Sequence, residues 1–179
     1  MTDDLFTIVV PEEDMEPPSY QEIPSGQYRS TLQPGVEVAN SDSGWEAVQM
    51  FFEGFTSKKT GEVYNGRPLR ASFTTKLSMD KPTHEKAIEI GTRGLVSAAF
   101  ACGLTETVDG GGKSAQKLTA SSMDELVGQF NAMAGTEVLV YVKTGPRKDK
   151  GDGRHLKNDG TPWIDSEVGS VRPLPSEDA

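Results

Sequence analysis

Residues 67–102 read RPLRASFTTKLSMDKPTHEKAIEIGTRGLVSAAFAC, and within this stretch the period of the apolar residues changes. Over residues 67–77, Leu69, Ala71, Phe73, Thr75 and Leu77 alternate with Arg70, Ser72, Thr74 and Lys76. That is the two-residue period of a strand with one buried face. From residue 83 onward, Ile88, Gly91, Leu95, Ala98, Ala99 and Cys102 recur at helical spacing, and Gly103 is a natural stop. A strand therefore gives way to a long helix with a small-residue face.

Working outward, the upstream chain predicts two more strands. Residues 27–39 form a bent first strand, interrupted by Pro34 and Gly35, and residues 45–55, WEAVQMFFEGF, form a second. Downstream, residues 105–119 read as a Gly-rich loop. A second helix follows over residues 123–134, opened by a capping box of Ser122 and Glu125 and striped by Leu126, Val127, Phe130 and Met133. Residues 136–143, TEVLVYVK, form a strong strand and residues 162–171 a weaker last one. The order β-β-β-α-α-β-β has no βαβ alternation, which disfavours a parallel α/β fold. It predicts a mostly β chain, an OB-fold-like barrel of five strands with two helices between strands three and four. A small α+β sheet or a β-sandwich with inserted helices fits the same order.

The 179 residues carry a formal charge of −9, but the charge is unevenly divided. Residues 1–24 hold seven acids and no Lys or Arg, and residues 173–179 hold two more acids. All 18 Lys and Arg lie in residues 25–172, balanced there by 18 acids. This divides the chain into an acidic, Pro-containing, disordered arm (1–22), a neutral domain (23–172) and a short acidic tail (173–179). No apolar run is long enough for a membrane span. The acidic N-terminus lacks the positive charge of a signal peptide, so a cytoplasmic location is expected. One cysteine, Cys102, allows no internal disulfide, and with His84 and His155 it falls short of a usual zinc set.

Residues 144–161, TGPRKDKGDGRHLKNDGT, are the basic exception. Lys143, Arg147, Lys148, Lys150, Arg154 and Lys157 face only Asp149 and Asp152 between residues 143 and 157. A basic loop between the last two strands falls where an OB barrel closes over its ligand. Residues 56–77 add Lys58, Lys59, Arg67, Arg70 and Lys76 against Glu62. On the second strand, Val48, Met50 and Phe52 share one face, and Trp45, Gln49, Phe51 and Phe55 the other. With the aliphatic set inside, Trp45, Phe51 and Phe55 offer ring faces for bases while the cations hold phosphates. Trp45 and Phe51 would equally serve a core beneath the extra helix. Tyr64 and Trp163 are read as packing at strand ends.

Residues 109–114, DGGGKS, lack the spacing of a phosphate loop, because Thr107 stands where its first glycine belongs. No nucleophile with a base and no paired acids of metal spacing are visible, so a non-enzymatic protein without cofactor or metal is expected.

Four segments carry a resemblance to a known family. They are residues 23–28 (IPSGQY), 61–67 (GEVYNGR), 99–103 (AFACG) and 137–143 (EVLVYVK). Through them, residues 23–172 resemble phage-encoded single-stranded-DNA-binding proteins with OB-type domains. The resemblance implies coating of single-stranded DNA during phage replication, recombination or repair, in the host cytoplasm. It also implies self-association and contacts with replication or recombination proteins through acidic ends. The end PSEDA lacks the terminal hydrophobic residue of the bacterial tip, leaving the acidic arm to compete with DNA for the basic groove. RNA remains an alternative ligand. The rival expectations are a protein-interaction or virion component whose basic loop docks an acidic surface, and an inhibitor that mimics nucleic acid through its acidic arm.

Overall fold

The computed structural model describes residue 9, residues 22–77 and residues 82–175. Apart from Val9 and Glu22, the expected arm of residues 1–22 lies outside the described residues, as do residues 176–179 of the expected tail. The described chain is mostly β, with nine strands and two helices. They run β1 (Gly26–Leu32), β2 (Glu37–Asn40), β3 (Glu46–Ser57), β4 (Val63–Tyr64), β5 (Leu69–Lys76), α1 (Pro82–Ala101), β6 (Glu106–Asp109), β7 (Ser114–Lys117), α2 (Met123–Ala132), β8 (Glu137–Pro146) and β9 (Ile164–Arg172).

Seven strands form one antiparallel sheet and β6–β7 a separate hairpin. The expected five strands are β1 with β2, then β3, β5, β8 and β9. The count is higher for two physical reasons. The short β4 adds a strand beside Phe55 and Thr56 of β3. In addition, Pro34 and Gly35 split the first strand, whose halves both pair with β3. Gly35 has φ +99°, and Asn131 of α2 clamps the kink. Its side-chain oxygen accepts the Gly35 and Val36 N–H groups at 3.0 and 2.9 Å, and its amide donates to the Val36 carbonyl at 3.0 Å. Replacing Asn131 with Ala strands two N–H groups and is expected to cost about 2 kcal/mol, read as a lower urea midpoint with unchanged slope.

Residues 105–119, expected as a loop, fold as the β6–β7 hairpin. Its strands are only four residues each, and the turn between them is well bonded. Gly111 and Gly112 take φ of +81° and +87°, the Gly112 N–H donates to Asp109, and the Gly110 N–H donates to the Lys113 carbonyl.

The main sheet curls until β5 and β9 lie side by side, but no hydrogen-bond ladder joins them, so it is not a closed barrel. Helix α1 packs on both of these edges. Gly91 rests directly on the Thr74 backbone, Gly94 on the Phe73 ring, and the Ser97 hydroxyl donates to the Val171 carbonyl at 2.7 Å. The core enclosed by the sheet holds Leu32, Val48, Met50, Phe52, Val138, Val140, Val142 and Val171, with Leu126 and Phe130 of α2. Cys102 is buried there, and burial pushes its thiol up to about 11. At α2, Ser122 caps as expected by accepting the Glu125 N–H at 3.1 Å. The carboxylate of Glu125 reaches Ser121 instead of Ser122, and those bonds hold it below the usual carboxylate range. Among the described residues, no helix is long and apolar enough to cross a membrane.

Candidate functional site

The basic loop is shorter and more folded than its composition suggests. Strands β8 and β9 extend to Pro146 and from Ile164, leaving residues 147–163 as the connection. Its acids turn the chain. Asp149, Asp152 and Asp159 accept the N–H groups of Gly151, Arg154 and Thr161 at 2.7, 3.0 and 2.9 Å. Gly151, Gly153 and Gly160 supply the positive φ these turns need. The loop then closes on itself, with Trp163 N–H on the His155 carbonyl at 2.8 Å and Arg147 N–H on the Trp163 carbonyl at 2.6 Å. Lys148, Lys150 and Arg154 are exposed, while Lys157 lies over the Trp163 ring. The Thr161 bonds and the Lys157 charge hold the Asp159 carboxyl below its ordinary range. Arg154 has a loose partner in Asp152 at 3.9 Å.

Arg147 is the pivot. Its guanidinium grips Asp165 of β9 through two bonds of 2.8 and 2.9 Å. Those bonds, with the nearby charge of Arg67, hold the Asp165 carboxyl below its ordinary range. Three adjoining grooves meet at this pair. The first, about 630 Å³, is lined by Glu22, Ile23, Arg67, Leu69, Lys157 and Trp163. The second, about 610 Å³, is lined by Arg70, Lys143, Lys148, Lys150 and Arg154, with Asp152 and Glu167. Between them lies a smaller one, about 440 Å³, holding Phe51, Arg67 and Arg70. Phe51 and Arg70 are direct cross-strand partners, the outward pairing of ring and cation expected from sequence.

The remaining expected residues are not all brought here. Phe55 is fully buried and packs edge-on against Tyr28 at 6.1 Å, which corrects its expected place on the outward face. The cause is Gly54, whose φ of +73° makes a β-bulge. Two residues of β3, Gly54 and Phe55, oppose the single Ser30 of β1, so alternation reverses and Phe55 turns inward with Phe52. Gln49 and Ala47 are buried as well. Trp45 and Lys76 sit at the opposite end of the β3–β5 pair, six residues from Phe51, or about 20 Å of strand. There Trp45 donates to the Thr74 hydroxyl at 3.3 Å and Lys76 pairs with Glu46 at 3.7 Å. Lys58 and Lys59 are exposed beyond the other end of β3 and line a separate groove.

Trp163 belongs to the site although sequence suggested simple packing. Its ring is 47% exposed and has two cations over it, Arg147 at 5.9 Å and Lys157 at 5.6 Å from the centroid. Its signal was a tryptophan closing a mostly polar loop. Among the described residues, no three His, Cys, Asp or Glu side chains converge on a metal position. No protein-family model and no curated protein sequence matches the chain.

Proposed function

We propose that this chain binds single-stranded DNA with little sequence preference, serving the phage replication, recombination or repair that its sequence resemblance implies. The observation that carries this reading is Trp163, an exposed ring beside Arg147 and Lys157 in the lining of a groove that also carries Arg67. A ring face accepts any base, because every base has a π-face, and the neighbouring Lys157 holds the phosphate beside it, while Arg147 stays paired with Asp165. Phe51 beside Arg70 offers a second such pairing. The finer fold we propose is an OB-type barrel left open along the β5–β9 seam, in which residues 147–163 connect the fourth and fifth barrel strands. The bent first strand, the three-stranded run β1–β3–β5 and the pairing of β1 with β8 support it.

The test is a salt-series titration of the full chain with oligo(dT), duplex DNA and oligo(U). Single strands are expected to bind more tightly than duplex, with log K falling about 0.7 per phosphate contact for each tenfold rise in salt. Absence of binding to every single strand at about 50 mM salt would sink the reading. A protein-docking role is the second reading, favoured by the exposed apolar Leu156 and Ile164 beside Trp163. It gains if an acidic protein binds this loop and oligonucleotides do not.

A further inference from the structure

The groove holding Lys58 and Lys59 is distinct from the three that meet at Arg147 and Asp165, and its lining borders the first of them in sequence. It encloses about 530 Å³ and is lined by Pro24, Ser25, Tyr28, Lys58, Lys59 and Tyr64. Its lining lies next in sequence to that of the first groove on two segments. Glu22 and Ile23 of the first groove are followed directly by Pro24 and Ser25 of the second, and Arg67 of the first comes three residues after Tyr64 of the second. The first of these segments is fixed to β8. Ser25 donates to the Thr144 carbonyl at 3.2 Å and accepts the Thr144 N–H at 2.9 Å, while the Thr144 hydroxyl donates to the Ile23 carbonyl.

This second groove repeats the chemistry of the first. Lys58 and Lys59 are exposed, and no ion pair joins either to an acid among the described residues. Tyr64 is half-buried and held on two sides. Its hydroxyl donates to Glu62 at 2.7 Å, and its ring meets Tyr28 edge-on at 5.8 Å. A ring fixed in this way loses little freedom on stacking.

We propose, on the single-strand reading above, that the two grooves form one trough holding one continuous nucleic-acid strand. Tyr64 stacks a base at the far end and Lys58 and Lys59 hold the adjacent phosphates. The trough therefore selects for strand length, because a short strand fills only the part near Trp163.

The experiment titrates full-length wild type and the Lys58→Ala/Lys59→Ala variant with oligo(dT) of about 4 and about 16 nucleotides, the range one such domain covers. Without these two phosphate partners the salt slope flattens by about 1.4, or about 25-fold in affinity at 0.1 M salt, for the longer strand. The shorter strand is expected to change less than about threefold, and its retained binding shows that the variant is folded. Tyr64→Ala is expected to weaken the longer strand about tenfold. Equal affinity of wild type and both variants for the longer strand overturns the trough but leaves the first groove standing. Loss of equal size at both lengths also overturns it. Failure of wild type to bind either strand overturns the trough and the single-strand reading together.

Discussion

Replacing Lys148, Lys150 and Arg154 together with alanine is expected to weaken oligo(dT) binding about a hundredfold at 0.1 M salt. Each cation that no longer neutralises a phosphate of a single strand takes about 0.7 off the salt slope, so three take off about 2. At 0.1 M, a slope change of about 2 is about two decades of affinity. These three side chains are exposed, and only Arg154 has an acidic partner, at 3.9 Å. Arg147 is left in place deliberately. Its two bonds to Asp165 tie the loop to β9, and removing it would disturb the fold of the site as well as its charge. The loss should be uniform across oligonucleotide sequences, since phosphate contacts carry no base information. Fluorescence anisotropy at several salt concentrations reads both slope and affinity. An unchanged slope would move the phosphate contacts off this loop.

Gly91→Ala is expected to cost about 3 kcal/mol, at the upper end for an overpacked contact. A Cβ at position 91 would lie 2.0 Å from the Thr74 carbonyl oxygen and 2.8 Å from its nitrogen. Both are backbone atoms of β5 and cannot rotate away, so the whole helix must shift. That shift would also pull Ser97 from the Val171 carbonyl and loosen the bracing of the two unpaired edges. For a chain of this size, about 3 kcal/mol lowers the melting midpoint by about 6–12 °C. Gly94→Ala is the contrast. Its Cβ would meet the Phe73 ring at 2.7 Å, a side chain with its own torsions, and a smaller loss is expected. A Gly91→Ala protein that melts with wild type would show that α1 does not seat on Thr74 this closely.

Local period made the main elements legible. Leu69, Ala71 and Phe73 face inward in β5, and Gly91, Leu95, Ala98, Ala99 and Cys102 form the buried stripe of α1 and the turn after it, because burial on one face imposes the period directly. Position along β3 was harder. Its alternation holds from Val48 to Phe52 and then reverses at Gly54, and a glycine inside a strand is the local sign of such a bulge. The β6–β7 hairpin was missed because its strands are only four residues each and its turn of residues 109–113 is Gly-rich. In the candidate site, the cations of residues 147–157 were visible as charge. The commitment of Arg147 to Asp165, eighteen residues away, was not, because it depends on the register of β8 with β9. Trp163 needed the same register to be set beside Arg147 and Lys157.

The bulge at Gly54 makes β3 two strands in one. Before it, even-numbered residues face the core; after it, Phe55 does. An alanine scan along β3 interpreted with a single in–out key would misassign every position beyond residue 53, whereas deleting Gly54 would remove the bulge, set Phe55 alone opposite the buried Ser30 and keep it facing inward. Gly54 therefore acts as a phase marker. It lets one uninterrupted strand build the wall beside the basic groove with Phe51 and, a few residues later, anchor the Tyr28–Tyr64 cluster with Phe55.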